Sequence, residues 1–349
     1  MEPHPLITAD LPGSGGRIKV APEDFRVDEI PAYAPAGQGA HLYLHVEKRG
    51  RTTRDVLREL AAALGVPDRE AGFAGLKDKR AVTTQWMSFP TPRTPGAGEL
   101  AGVGWRTLAV SRHGNRLRTG HLRGNRFALA VRGGDLSRAR ACASALRERG
   151  LPNFFGAQRF GAERDNAEVG KAILLGDTGS PHVRRAVRDR FLRRLCISAY
   201  QSLLFNRWLS ERIADGLFAR ALAGDVMKRL EGGLFTCQDP AADEPRIARF
   251  EISPAGPIFG HKMLPAAGEA LARESRLLVA EGIALSDFAS GRGEAEGTRR
   301  PARLPLEVEL EPLPDGYRAS FSLPRGSYAT VVMAELVKEG PADLGEGPE

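Results

Sequence analysis

Cysteine is scarce in this sequence: Cys142, Cys196 and Cys237 are the only three, far apart and without a Cys-x-x-Cys pair. Neither a disulfide framework nor a cysteine zinc site has support, and buried, reduced thiols are expected. No run approaches the roughly 18 apolar residues of a membrane-spanning helix, and the opening Met-Glu-Pro-His-Pro lacks the basic-then-apolar pattern of a signal peptide. A cytoplasmic protein is the expectation. No fixed period repeats along the chain, which argues against a solenoid or propeller. Gly-x-x-x-x-Gly-Lys-Ser/Thr, Gly-x-Gly-x-x-Gly after a strand, and Gly-x-Ser-x-Gly are all missing. His41 and His45 stand four apart, but no acid accompanies them as in the zinc-protease helix, and their surroundings read as strand. Work without metal or cofactor is therefore expected.

What remains is an ordinary globular composition, 42% hydrophobic and 27% charged, over 349 residues. That length suggests about two domains. The charge is +7, from 50 basic against 43 acidic residues. A positive balance attracts polyphosphate chains. Only eight of the basic residues are lysine, though, and an arginine bias can also come from base composition, so distribution matters more than the total.

In Ile18–Glu29, Phe25, Val27 and Glu29 alternate with polar residues after a Pro-Glu-Asp turn, predicting a strand. Another is expected over His41–Val46. Thr53 reads as the N-cap of a helix whose Val56, Leu57, Leu60, Ala61 and Leu64 share a face, ended by Gly65 and Pro67. The segments GFAG and AVTTQWMSF flank a loop as strands, and Arg93–Gly104 reads as a surface loop. Strands follow at Arg106–Arg112 and Arg126–Arg132, then a helix at Leu136–Arg149. Asn166–Ile213 is dominantly helical, with a further helix near Gly268–Glu281. Ser290–Arg300 reads as a loop or boundary. Strands at Arg303–Leu310 and Tyr317–Leu323 precede a helix at Tyr328–Lys338, and the tail should fray. Strands at both ends with a helix-rich stretch between predict one α+β domain interrupted by an inserted second one.

Four constellations carry chemistry. Leu76-Lys77-Asp78-Lys79-Arg80 sets one carboxylate among three cations, with Gly72 and Gly75 just before it. Nearby positive charge favours ionised Asp and glycine allows close approach, as a charged carboxylate in a narrow site needs; a solvated loop with a surface ion pair is the competing reading. Between Arg112 and Arg132 lie Arg116, Arg118, Arg123 and Arg126, with no acid and with Phe127 interleaved, a footprint for a phosphate backbone and a stacked base. Arg184, Arg185, Arg188, Arg190, Arg193 and Arg194 form a second cluster with Asp189 alone as counter-charge, read equally as helix surface or RNA contact. Asn153 to Gly161, NFFGAQRFG, is either a domain junction pinned by aromatics or a pocket for a planar base.

Taken in order, PEDFRVDE at Pro22–Glu29, GLKDKRAVTTQW at Gly75–Trp86, GNRF at Gly124–Phe127, PNFFGAQRFG at Pro152–Gly161 and LPRGSYAT at Leu323–Thr330 make the chain resemble the TruD family of tRNA pseudouridine synthases. The resemblance implies an isomerase that converts uridine 13 of tRNA to pseudouridine, breaking the N1–C1′ bond and rejoining the base at C5. It implies a monomer that needs neither metal nor cofactor. Asp78 is then the catalytic carboxylate, with Lys19 as its cationic partner and Asn125 orienting it. Phe127 and Tyr328 wall the target base, and Arg80, Arg126, Gln158 and Arg159 complete the substrate-binding set. Arg80 competes with Lys19 as the partner of Asp78. The fold implied is α+β: a pseudouridine synthase catalytic domain, a mixed, mainly antiparallel sheet with flanking helices, formed by 1–151 and 301–349. It is interrupted by an inserted α/β TRUD domain over 152–300, with a basic cleft between the two for tRNA. Phe154 stands where many relatives have Tyr, Tyr328 where Phe is common, and Ala334 where an Arg is expected. A non-catalytic RNA-binding or RNA-folding protein on the same scaffold is the alternative.

Overall fold

The computed structural model describes residues 4–161, 163, 165–290 and 295–338. After a 3-10 turn over Pro22–Asp24 come β1 (Phe25–Pro31), β2 (His41–Arg49), α1 (Thr53–Leu64), β3 (Gly72–Phe73), β4 (Val82–Phe89), β5 (Ala101–Gly102), β6 (Trp105–His113) and β7 (Leu122–Arg132). Then follow α2 (Leu136–Arg149), β8 (Leu151–Pro152), α3 (Asn166–Leu174), α4 (Pro181–Arg188), α5 (Arg190–Ala214), β9 (Val226–Arg229), β10 (Leu234–Thr236), α6 (Pro240–Ala248) and β11 (Ile252–Ile258). Last are α7 (Gly268–Ala280), α8 (Leu285–Ser290), β12 (Thr298–Pro301), β13 (Arg303–Leu304), β14 (Glu309–Leu313), β15 (Gly316–Pro324) and α9 (Ala329–Val337). The chain divides into two compact units, Met1–Asp10 with Ala145–Pro305, and Leu11–Ser144 with Leu306–Glu349.

The unit formed by Leu11–Ser144 and Leu306–Glu349 is built on a nine-stranded sheet in the order β14-β15-β7-β1-β4-β2-β6-β5, with β3 beside β4. Every pairing is antiparallel except β1 with β4, so the fold is α+β with a mainly antiparallel sheet. Alternation along β2 turns Leu42, Leu44 and Val46 to one face, where they meet Val56, Leu57, Leu60, Ala61 and Leu64 of α1 together with Met87 and Phe89 of β4. The helix starts one residue earlier than its sequence suggests. Thr52, extended, is the N-cap whose side chain accepts from Asp55 N–H. Thr53 is the first helical residue, and its hydroxyl points inward to Gln85 Oε1 at 3.0 Å. Gly65 closes the helix in the left-handed region at φ 68°.

Register places the site. Directly opposed residues on paired strands share a face. Asn125 on β7 opposes Glu29 on β1 and Leu323 on β15, while Phe127 opposes Val27 and Phe321. Val27 in turn opposes Thr83 on β4, which opposes Lys48 on β2. Asn125, Phe127, Glu29, Thr83 and Lys48 thus lie on the face that α1 covers further along.

The unit containing Ala145–Pro305 is centred on the 25-residue α5. Helices α3 and α4 pack on α5 through Val169, Val183, Ala186 and Cys196. A four-stranded sheet, β10-β9-β11-β12, and the β8–β13 pair complete it, so the unit mixes strands and helices as an α/β insert would. The N-terminal segment belongs to this unit too: His4 stacks on Phe154 with ring centroids 4.2 Å apart. The single strand predicted over Arg303–Leu310 is two, β13 pairing with β8 and β14 with β15, since Pro305 between them has no N–H to donate. Of the Ser290–Arg300 loop, residues 291–294 lie outside the described residues and Thr298–Pro301 is strand. Residues 339–349 of the tail also lie outside them. All three cysteines are buried and free. Burial pushes the Cys196 thiol up to about 11.

Candidate active site

Asp78 sits on the loop between β3 and β4. Its Oδ2 accepts from Lys19 Nζ at 2.6 Å and its Oδ1 from the Arg80 backbone N–H at 2.8 Å. The pair is largely withdrawn from solvent, with side chains 6% and 17% exposed. Lys19, not Arg80, is therefore the side-chain partner. Arg80 contributes its main chain while its side chain faces solvent. Lys19 reaches the carboxylate from a backbone at φ 55°, a left-handed conformation that costs a non-glycine residue on the order of 1 kcal/mol. Its ammonium also lies 4.3 Å above the centre of the Phe25 ring.

Several polar residues of the two strongest motifs have a task in this arrangement. In PEDFRVDE, buried Asp24 accepts from Ala21 N–H at 3.0 Å and from Arg132 Nη2 at 2.6 Å, fixing the turn that follows Lys19. Asp28 accepts from Thr84 Oγ1 at 2.7 Å, on the opposite face of β1 from Glu29. Glu29 accepts from Lys77 Nζ at 2.6 Å in a pair whose side chains are 1% and 4% exposed. In GLKDKRAVTTQW, Lys77 N–H donates to Thr53 Oγ1 and Gln85 Nε2 to Gly75 O, tying the Asp78 loop to α1 and β4. Lys48 Nζ donates to the Asp78 carbonyl at 2.7 Å. Burial pushes the Lys48 ammonium down to about 8, the charge of Asp78 opposing that shift and Lys77 adding to it.

Beside this cluster Phe127 is stacked between Phe25 and Phe321, with centroids 6.3 and 5.5 Å away. Asn125 Oδ1 is buried with no hydrogen-bond partner among the described residues. Such a group costs about 1–3 kcal/mol unless a ligand donor satisfies it. Gly124 is required by space, as a Cβ there would meet the Leu323 carbonyl oxygen at 2.2 Å. Half-buried Tyr328 takes the N-cap position of α9, shortly after β15 ends beside β7.

The arginine stripe does not form one free surface. Arg112 donates to the carbonyls of Gly39, Thr91 and Pro92, Arg116 to that of Ala71, and Arg132 pairs with Asp24 and Asp315. Arg118 and Arg123 are exposed without a partner among the described residues, and Arg126 has only Glu309 at 4.0 Å. In the second cluster Arg184 and Arg193 bind nearby carbonyls, and Asp189 caps α5 through Phe191 and Leu192 N–H. Arg185, Arg188 and Arg190 stay exposed.

Gln158 and Arg159 belong to the other unit, on a turn over Ala157–Phe160. Gln158 is exposed, whereas Arg159 binds the hydroxyls of Ser198 and Ser202 on α5. The aromatics around them are structural: Phe154 stacks on His4, Phe155 packs edge-on against Phe205, and Phe160 is buried. Asn153 bonds Pro301 O and Arg300. His41 and His45 lie on a strand, where residues four apart are about 13 Å apart, too far to share an ion. Glu163, Asp165 and His182 form the group of metal-ligating types that converges among the described residues, exposed or half-exposed on the other unit.

Two features escaped the sequence reading, the Glu29–Lys77 pair and Lys48. A signal for Lys48 exists: it continues the inward series Leu42, Leu44, Val46, so a charge falls where the period demands an apolar residue.

The family model described as tRNA pseudouridine synthase D (TruD) matches residues 4–181 and 181–336. The tRNA pseudouridine synthase D of Anaeromyxobacter sp. (strain Fw109-5) is 71% identical over 350 residues, covering 100% of both chains. That of Thermus thermophilus is 46% identical over 344 residues, covering 97% of this chain and 93% of the relative. A crystal structure of a putative tRNA pseudouridine synthase D from Methanosarcina mazei superposes with a TM-score of 0.78 at 25% identity, over 99% of this chain and 98% of that one. With the family model and the relatives matching along nearly the whole chain, the protein belongs to the TruD family of tRNA pseudouridine synthases, which are isomerases.

Proposed function

We propose that this chain isomerises uridine 13 of tRNA to pseudouridine, with Asp78 as the catalytic carboxylate. One observation carries the assignment: a carboxylate largely withdrawn from water, held by Lys19 at 2.6 Å and by a backbone N–H, beside an aromatic stack and an unsatisfied amide oxygen. The N1–C1′ bond breaks with its electron pair passing to the uracil. The base turns, C5 bonds to C1′, C5 gives up its proton and N1 gains one. No atom is added to the RNA and no electron is exchanged with a cofactor, so side chains suffice.

In this assignment Lys19 holds the carboxylate, Asn125 orients the carboxylate or the sugar, and Phe127 and Tyr328 flank the extruded base. Arg80, Arg118, Arg123, Arg126 and Gln158 contact the RNA. Arg159, engaged with two serines, shapes its own unit. The unit built on the nine-stranded sheet is the catalytic domain, the segment inserted into it a TRUD domain, and the enzyme acts as a cytoplasmic monomer. Among the described residues no helix is long and apolar enough to cross a membrane, which accords with that location.

Purified protein incubated with an unmodified tRNA transcript, followed by chemical adduct mapping and primer extension, tests the reading. Wild type should mark position 13. Asp78→Asn, nearly isosteric and uncharged, should form no product while binding tRNA within a few-fold. Turnover by that variant would sink the mechanism; binding without turnover by wild type would make the chain an RNA-binding protein.

A further inference from the structure

Three lysines and two carboxylates meet at the loop between β3 and β4. Lys77 is matched by Glu29, and Lys19 by Asp78. Lys48 has no carboxylate among the described residues: its ammonium, on a residue 1% exposed, binds the Asp78 carbonyl. The surroundings suit a hydrophobe better. Leu42, Leu44 and Val46 precede it on the same face, and the residues opposing it, Thr83 on β4 and Trp105 on β6, are neutral. The charged groups facing it are Asp78 and Lys77 from the loop, with Glu29 of β1 behind Lys77 and Lys19 behind Asp78. A buried cation without a counter-ion destabilises a fold, so its presence beside a reactive carboxylate calls for a functional cause.

We propose that Lys48 is a positioning residue of the Asp78 site, anchoring the main chain of that loop and leaving the cluster one cation in excess of its carboxylates. The inference rests on Asp78 being the catalytic group. RNA is a polyanion, and each phosphate that docks near the site favours protonation of the carboxylate. The surplus cation offsets that added negative charge at the loop.

Two substitutions separate the hydrogen bond from the charge. Lys48→Gln keeps a donor for the carbonyl and removes the charge, while Lys48→Met removes both. Single-turnover rates on an unmodified tRNA transcript, measured across the acidic to mildly alkaline range, should show the acid limb displaced upward in both variants. A displacement on the order of one pH unit is what loss of a nearby unit charge produces at an effective dielectric constant near 20. The plateau rate should fall further in Lys48→Met, on the order of tenfold, with tRNA affinity and melting temperature held or the latter raised. An acid limb unmoved in Lys48→Gln overturns the proposal, and so does a loss of rate that follows a loss of folded protein. Asp78→Asn run alongside keeps the two assignments apart. Its inactivity with an unmoved limb removes only Lys48, whereas its activity removes Asp78.

Discussion

Glu29→Gln isolates one charge of the most deeply buried ion pair next to the proposed catalytic residue. Glu29 and Lys77 approach to 2.6 Å with side chains 1% and 4% exposed, so water screens neither. The substitution leaves a hydrogen-bond acceptor but strands the ammonium of Lys77 without counter-charge. Breaking one side of such a pair costs about 3–5 kcal/mol. For a unit of about 180 residues each kcal/mol lowers the melting temperature by about 2–4 °C, so the expected drop is on the order of 10 °C. The double variant Glu29→Met with Lys77→Met removes both charges and should regain most of that loss, since apolar replacement of a whole buried pair is often neutral or stabilising. Thermal melts followed by circular dichroism with calorimetry, and urea titrations of all three proteins, supply the measurement. Lys77 adjoins Asp78, so the single variant should also lose turnover more steeply than tRNA affinity. A cost under about 1 kcal/mol in Glu29→Gln, or a double variant no more stable than the single, would refute the claim that the two charges depend on each other.

Lys48→Met should stabilise the fold near neutral pH. The ammonium titrates near 8 when folded against 10.5 ordinarily, so between those values the unfolded chain binds more protons and stability rises with pH, the full penalty of about 3 kcal/mol being present below pH 8. Denaturation at neutral pH and again near the ordinary lysine value of 10.5 checks this, wild type gaining on the variant across that interval. Asn125→Ala removes an orphaned acceptor, so its stability should change by less than about 1 kcal/mol while turnover falls sharply; a large stability loss would make Asn125 structural. Arg123→Ala should lower the salt-dependence exponent of tRNA binding by about one with no change in melting, whereas Arg112→Ala should lower the melting temperature and leave that exponent alone.

That contrast between two arginines shows how far the sequence could be read. Strand alternation and helical spacing located the elements of the sheet unit because each depends on neighbours within a few residues: Leu42, Leu44 and Val46 face α1 as their period requires. Where prediction slipped, a local competition decided it. Thr52 and Thr53 are equally good caps by type, and the demand of Gln85 for one hydroxyl, from 32 residues away, leaves the other to cap the helix. Arginine destinations are decided over still longer separations. Arg132 is held by Asp24 and Asp315, 108 and 183 residues distant, and no local pattern announces either partner.

The proposed site shows the same division. The loop that carries its carboxylate stands out because its motif is dense and short, though the pentad alone reads as well as a solvated surface loop and only the resemblance proposes a role for Asp78. The charges that surround it arrive from four segments: Lys19 ahead of β1, Glu29 on β1, Lys48 on β2 and Lys77 on the loop. Counting cations within Leu76–Arg80 points to Lys77, Lys79 and Arg80 as the environment of Asp78. In the fold Lys77 is neutralised elsewhere and Lys79 and Arg80 face water, so the cations that matter are two that the pentad does not contain. A buried lysine is costly at any position, and three are gathered here against two carboxylates. The fold accepts that cost at the loop that carries the proposed catalytic carboxylate. If stability alone had shaped this corner, the apolar series of β2 would have run on through position 48.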